Sequence, residues 1–160
     1  MEKAILAAGC FWGVQFYFDQ VPGVIKTTVG YSGGHTDTPS YEDVCSHTTG
    51  HAEAVEIEFD PSEVSYETLL KQFFRMHDPT QVNGQGPDIG DSYRTAIFYT
   101  SDTQKALAES AKETAQVNFE KPIATEITEA TTFWPAEEYH QKFSERTGRG
   151  MCHIPYKTIQ

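Results

Sequence analysis

One cysteine stands where a thiol could act as a nucleophile. Cys10 lies in Gly9-Cys10-Phe11-Trp12-Gly13, directly after an apolar run, Ala4 to Ala8, that reads as a buried strand. A strand, a glycine and then the first turn of a helix aim unpaired backbone N–H groups at the residue between them. Such a position stabilises an anion, lowers a thiol pKa and raises the thiolate fraction. The flanking glycines leave the sulfur approachable, and Phe11 and Trp12 could wall an apolar slot beside it. The competing reading makes Cys10 a small buried hydrophobe and the two aromatics core.

Further residues suit the chemistry of an attacking thiolate, whose leaving group needs a proton. Glu53 shares strand parity with Val55, Ile57 and Phe59, so a strand that reaches residue 53 turns this carboxyl toward the core. Desolvation there disfavours the charged form and keeps a proton on the acid near neutral pH. A strand that begins later leaves Glu53 in solvent. Tyr41 and Tyr93 occupy the two least regular stretches, where functional side chains concentrate. Two phenols there could donate hydrogen bonds to a developing oxyanion, or they could simply pack. Asp88, inside a glycine-rich stretch, could anchor a substrate amide or an ordered water, although turn chemistry also suits it. Cys152 is far from Cys10 in sequence but on a tail carrying Gly148 and Gly150, where a second thiol can swing to a sulfur modified elsewhere. Cys45, beside Tyr41, reads as a packing residue.

The composition narrows the classes. A chain of 160 residues fits one domain with a real core. A formal net charge of −11 argues against a phosphate-binding nucleic-acid surface. No apolar run is long enough to cross a bilayer, and the first residues lack the pattern of a signal peptide, so a cytoplasmic location is expected. Three cysteines do not make a disulfide scaffold; in a reducing compartment they suggest a catalytic thiol with a partner. His47, His51 and His153 lack zinc-site spacing, and no serine elbow or phosphate loop is present. No metal and no cofactor are expected.

The elements that must position these groups follow from periodicity. Strands are expected over residues 3–8, 24–31, 53–59, 95–100 and 123–130, and helices over 11–20, 65–77, 101–118 and 135–143, with a short helical turn from Tyr41 to Cys45. On the second strand Ile25, Thr27, Val29 and Tyr31 share a face. The segment 79–92 has no periodicity and reads as a functional loop, and residues 144–160 read as a mobile tail. The first six elements run β-α-β-β-α-β, the order of the ferredoxin-like split motif. The expected fold is therefore an α/β (α+β) two-layer sandwich, a ferredoxin-like core extended by helix, strand and helix.

Taken together, these residues resemble the A-class peptide methionine sulfoxide reductases over nearly the whole chain. The likeness rests on Gly9-Cys10-Phe11-Trp12-Gly13, Gly30-Tyr31-Ser32-Gly33-Gly34, Tyr41-Glu42-Asp43-Val44-Cys45 and Thr49-Gly50-His51-Ala52-Glu53, then on Asp88, Tyr93 and Arg94, and on Glu138-Tyr139-His140-Gln141. It implies reduction of methionine S-sulfoxide, free or in proteins, as oxidative repair. It implies Cys10 as nucleophile, Glu53 as acid with the Tyr41 and Tyr93 hydroxyls, Phe11 and Trp12 around the sulfoxide methyl, and Asp88 orienting substrate. It also implies a Cys10–Cys152 disulfide recycled by thioredoxin. The chain departs from the family pattern at His47, where Gly is common, at Gly84, where Arg is common, and at Met151, where Tyr is usual. A thiol peroxidase using the same two cysteines, and an acidic interaction domain without catalysis, are the alternative readings.

Overall fold

The computed structural model describes residues 1–147; Cys152, the expected disulfide and the rest of the expected tail lie outside the described residues. The chain runs β1 (Glu2–Ala8), α1 (Phe11–Asp19), β2 (Val24–Ser32), α2 (Tyr41–Cys45), β3 (Ala52–Phe59), α3 (Tyr66–Met76), β4 (Gly84–Gln85) and β5 (Asp88–Ile89). A 3-10 turn, Asp91–Tyr93, leads into β6 (Thr95–Tyr99), α4 (Asp102–Gln116), β7 (Glu126–Glu129) and β8 (Trp134–Pro135). A second 3-10 turn, Glu138–His140, precedes α5 (Phe143–Thr147).

The main sheet has the order β7-β6-β1-β3-β2-β8. β1 is antiparallel to both β3 and β6, and β2 is antiparallel to β3. β1 therefore runs parallel to β2 with β3 between them, and β3 parallel to β6 with β1 between them. These are two interleaved split βαβ units, as the element order predicts. α4 adds a crossover that brings β7 parallel to β6.

The helices cover one face. Leu6, Val29, Tyr31, Val55, Ile57, Phe59 and Ile97 pack there against Phe11, Val14 and Phe18 of α1 and Leu69, Leu70 and Phe73 of α3. Each such side chain, removed from water, contributes about 1.5–3 kcal/mol. The opposite face carries a thin layer built on Ile5, Ala7, Ala52, Ala54, Ala96 and Phe98, with Phe133 and Ala130 against it. α3 shows why these sequences form these elements. The Ser65 side chain caps its start by accepting from the Thr68 N–H, and its apolar stripe is buried. It stops at His77, ahead of Asp78-Pro79.

Five expectations need correction. Ile25 does not share the buried face with Thr27, Val29 and Tyr31: it is 57% exposed, because the pairing of β2 with β3 shifts between Val24 and Lys26 and turns Ile25 outward. The strand expected over 123–130 is confined to Glu126–Glu129. The loop 79–92 contains the two-residue hairpin β4–β5. The helix expected over 135–143 does not form. Trp134 and Pro135 pair with β2, Lys142 has φ +58, and the Gln141 amide accepts from the Val29 N–H and donates to the Val29 C=O, which also accepts the Ala136 N–H. Tertiary hydrogen bonding overrides local helix preference here. Ser144 to Thr147, expected in the tail, fall within α5, and Ser144 is 2% exposed.

Candidate active site

Cys10, Tyr41, Glu53, Asp88 and Tyr93 come from distant parts of the chain and meet at one end of the sheet. Ala8 pairs with Thr95 and Tyr31 pairs with Glu53. The C-terminal ends of β1 and β2 therefore lie beside the N-terminal ends of β3 and β6. The Gly9–Cys10 turn leaves β1 at this end, Tyr41 lies in the connection from β2 to β3, and Asp88 and Tyr93 precede β6.

Gly9, at φ +91, makes the sharp exit from β1 that a side chain would disfavour. Cys10 follows as the residue before α1, half-buried, and its side chain makes no capping bond to the helix. The sulfur thus sits at the N-terminus of a nine-residue helix, whose dipole favours negative charge. β3 does reach residue 53, and the parity argument holds: Glu53 is 1% exposed on the helix-covered side. Its Oε1 accepts the Phe11 N–H at 3.1 Å. Its Oε2 is buried with no hydrogen-bond partner among the described residues. Desolvation pushes this carboxyl up to about 8, with the Phe11 N–H pulling it down and Asp88 adding to the rise. The arrangement is what a neutral acid requires: one oxygen accepts, and the other can carry the proton.

Two phenols stand around this acid. Tyr41 begins α2, whose start is fixed by a reciprocal cap: the Asp43 N–H donates to Ser40 Oγ at 3.1 Å and the Ser40 N–H to Asp43 Oδ2 at 3.0 Å. The Tyr41 N–H donates to Glu137 Oε2 at 3.2 Å. Tyr93 ends the 3-10 turn, which Arg94 anchors by donating to the Asp91 carbonyl at 2.8 Å while its Nε lies 3.2 Å from Glu126 Oε1. Burial, then the charge of Glu53, pushes both phenols well above the ordinary tyrosine range. They are neutral donors throughout the physiological range. Cys10 and Asp88 both lie within electrostatic reach of Tyr93, so Cys10, Glu53, the two phenols and Asp88 form one cluster. Trp12 is half-buried and stacks on Phe143 with ring centroids 4.0 Å apart. Phe11 is fully buried, packed against Tyr31 and Tyr41, and so backs the site rather than facing open space.

A family model described as peptide methionine sulfoxide reductase matches residues 2–160. The chain belongs to the peptide methionine sulfoxide reductases. It is 51% identical over 156 residues to a peptide methionine sulfoxide reductase MsrA of Acidobacterium capsulatum, covering 96% of this chain and 100% of that one. Its fold is similar to that of Mxr1 from Saccharomyces cerevisiae in reduced form, with a TM-score of 0.87, 35% identity, and 93% of this chain and 87% of that one covered. It is also similar to Mxr1 in a complex with Trx2, with a TM-score of 0.65, 27% identity, and coverage of 89% and 84%. The activity of this chain is thus the reduction of methionine sulfoxide. Among the described residues no helix is long and apolar enough to cross a membrane.

The reductase also gathers residues to which sequence reasoning gave no role in the site. Cys45 adjoins both phenols: burial raises its thiol, while hydrogen bonds from the Tyr41 and Tyr93 phenols pull the other way. Its place four residues after Tyr41, on the same face of one helical turn, was the available signal. Glu137 receives both the Tyr31 hydroxyl, at 3.0 Å, and the Tyr41 N–H. His47, at φ +60, lies 3.3 Å from Asp91 and packs its ring on Gly90. These last contacts depend on tertiary structure and leave no local pattern.

Proposed function

We propose that Cys10 is the nucleophile and Glu53 the acid of a sulfoxide reduction that runs through a sulfenic acid. The Cys10 thiolate attacks the sulfoxide sulfur, and Glu53 delivers a proton to the sulfoxide oxygen, which leaves sulfur poorly without one. The oxygen passes to Cys10. Methionine sulfur gains two electrons, Cys10 becomes a sulfenic acid, and methionine departs. The Tyr41 and Tyr93 hydroxyls hydrogen-bond the oxygen as charge develops on it. Trp12, backed by Phe11, holds the sulfoxide methyl, and Asp88 orients the substrate. A thiol from Cys152 then condenses with the sulfenic acid, releasing water and leaving a Cys10–Cys152 disulfide. Thioredoxin is the proposed reductant; the complex of the yeast enzyme with Trx2 supports it. The substrate is the S epimer, free or within proteins, as the family assignment suggests.

The observation that carries this reading is Glu53: buried, held at one oxygen by the Phe11 N–H next to Cys10, and unpartnered at the other. The test is reduction of a chromophore-labelled methionine S-sulfoxide. Cys10→Ser should abolish turnover. Cys152→Ser should complete one turnover with thioredoxin and recover in part with dithiothreitol, which can reach the sulfenic acid itself. Normal cycling of Cys152→Ser with thioredoxin would remove the resolving role.

A further inference from the structure

His140 lies 128 residues from Trp12, yet the Trp12 indole N–H donates to its Nδ1 at 3.0 Å. The imidazole is 1% exposed. It packs against three aromatics of the site: ring centroids lie 5.4 Å from Phe11, 5.6 Å from Trp12 and 4.5 Å from Tyr41. Because Nδ1 accepts, the proton of the neutral ring must sit on Nε2. That nitrogen is buried and has no hydrogen-bond partner among the described residues. Leaving a buried N–H unmade is unfavourable, and a leucine or phenylalanine could fill the space without it. Packing alone therefore does not account for a histidine here; the bond made by Nδ1 does.

We propose that His140 is a positioning residue for substrate: its Nδ1 fixes the rotation of the Trp12 indole, so that the slot for the sulfoxide methyl exists before substrate arrives. Phe143 stacks on one side of the indole, but stacking leaves a flat ring free to slide and turn. A hydrogen bond to the indole N–H removes that freedom. The same imidazole packs against Tyr41, so the slot and one of the phenols are set by a single ring. The imidazole is held by the Glu138–His140 turn, which follows the β2–β8 pairing, and not by the turn that carries Cys10. This proposal rests on the assignment of Trp12 to the methyl slot.

The experiment uses the full chain, reduced, in single-turnover reduction of N-acetylmethionine S-sulfoxide, which separates half-saturation from limiting rate. His140→Leu removes the acceptor, whereas His140→Asn places an amide oxygen near the position of Nδ1. His140→Leu should raise the half-saturating concentration roughly 3- to 10-fold, the range of one hydrogen bond, with the limiting rate changed less than 2-fold. His140→Asn should recover most of the loss. In a Trp12→Phe background, which has no indole donor, His140→Leu should add nothing. In 15N-labelled protein the Trp12 indole N–H resonance should move in His140→Leu and hold near its place in His140→Asn, with Trp134 as internal reference. Equal impairment of the two His140 variants, or additivity with Trp12→Phe, overturns the proposal. If His140→Leu does not fold, the Asn variant and the indole resonance decide it. If Trp12→Phe itself leaves half-saturation unchanged, the slot assignment fails and this inference goes with it; a rise in Trp12→Phe without one in His140→Leu sinks only the inference.

Discussion

At the scale of single residues, the decisive group is a carboxyl placed by strand parity. Glu53 points inward because it is two residues before Val55 on a strand whose inner face is buried, and burial raises its pKa to about 8. Activity that depends on the protonated form should hold through neutral pH and fall as pH rises past about 8, visible as an alkaline limb in the rate of the sulfoxide-reducing step. Glu53→Gln, which cannot give up a proton, should slow that step roughly 100-fold or more and flatten the limb. Stability should follow the same group. The folded state binds this proton more tightly than the unfolded chain, so stability falls as pH rises between the ordinary carboxyl range and about 8. Denaturant melts of wild type and Glu53→Gln should show that slope in the first and lose it in the second. Removing either phenol, Tyr41→Phe or Tyr93→Phe, should cost roughly 10-fold in limiting rate, about one hydrogen bond each.

At the scale of elements, the loops around the site are held by contacts that a single side chain can break. Gly30 on β2 approaches β8 so closely that a Cβ there would lie 2.5 Å from the Phe133 ring. Gly30→Val should push β8 away and loosen Glu137 and His140 behind it. We expect a lower melting temperature and weaker substrate saturation, with less effect on the limiting rate. Gly90, at φ +138, has the His47 ring directly over its Cα. Gly90→Ala should therefore displace the Asp91–Tyr93 turn and lower the rate through Tyr93, measurable beside an intact far-ultraviolet spectrum. Part of this organisation is readable from sequence. The β-α-β-β-α-β order implies the sheet, and the glycine before Cys10 and the clean alternation from Glu53 to Phe59 are local signals. The segment from Trp134 to Thr147 is not readable. Its conformation is set by Gln141 binding β2 and by Trp134 pairing with Tyr31, and a helix-like pattern of residues gives no hint of partners a hundred positions away. For the same reason the contacts of Glu137 and His140 escape a reading that works outward from each residue's neighbours.

At the scale of the whole molecule, four strands end where the chemistry is, and their ends are aligned by hydrogen-bond pairing rather than by the loops between them. β3 is the middle of that arrangement, zipped to β1 on one side and β2 on the other. Sliding β3 by one position against its neighbours would exchange its two faces. Glu53 would then face the alanine side of the sheet and Ala52 or Ala54 would take its place under Cys10. A single residue inserted between Glu53 and Val55 should accordingly leave much of the secondary structure in place while erasing turnover. The acid thus depends on counting as well as on chemistry: its proton is kept or lost according to whether it stands an even number of positions from Phe59 at the far end of the strand, and the molecule keeps that count on two strands at once.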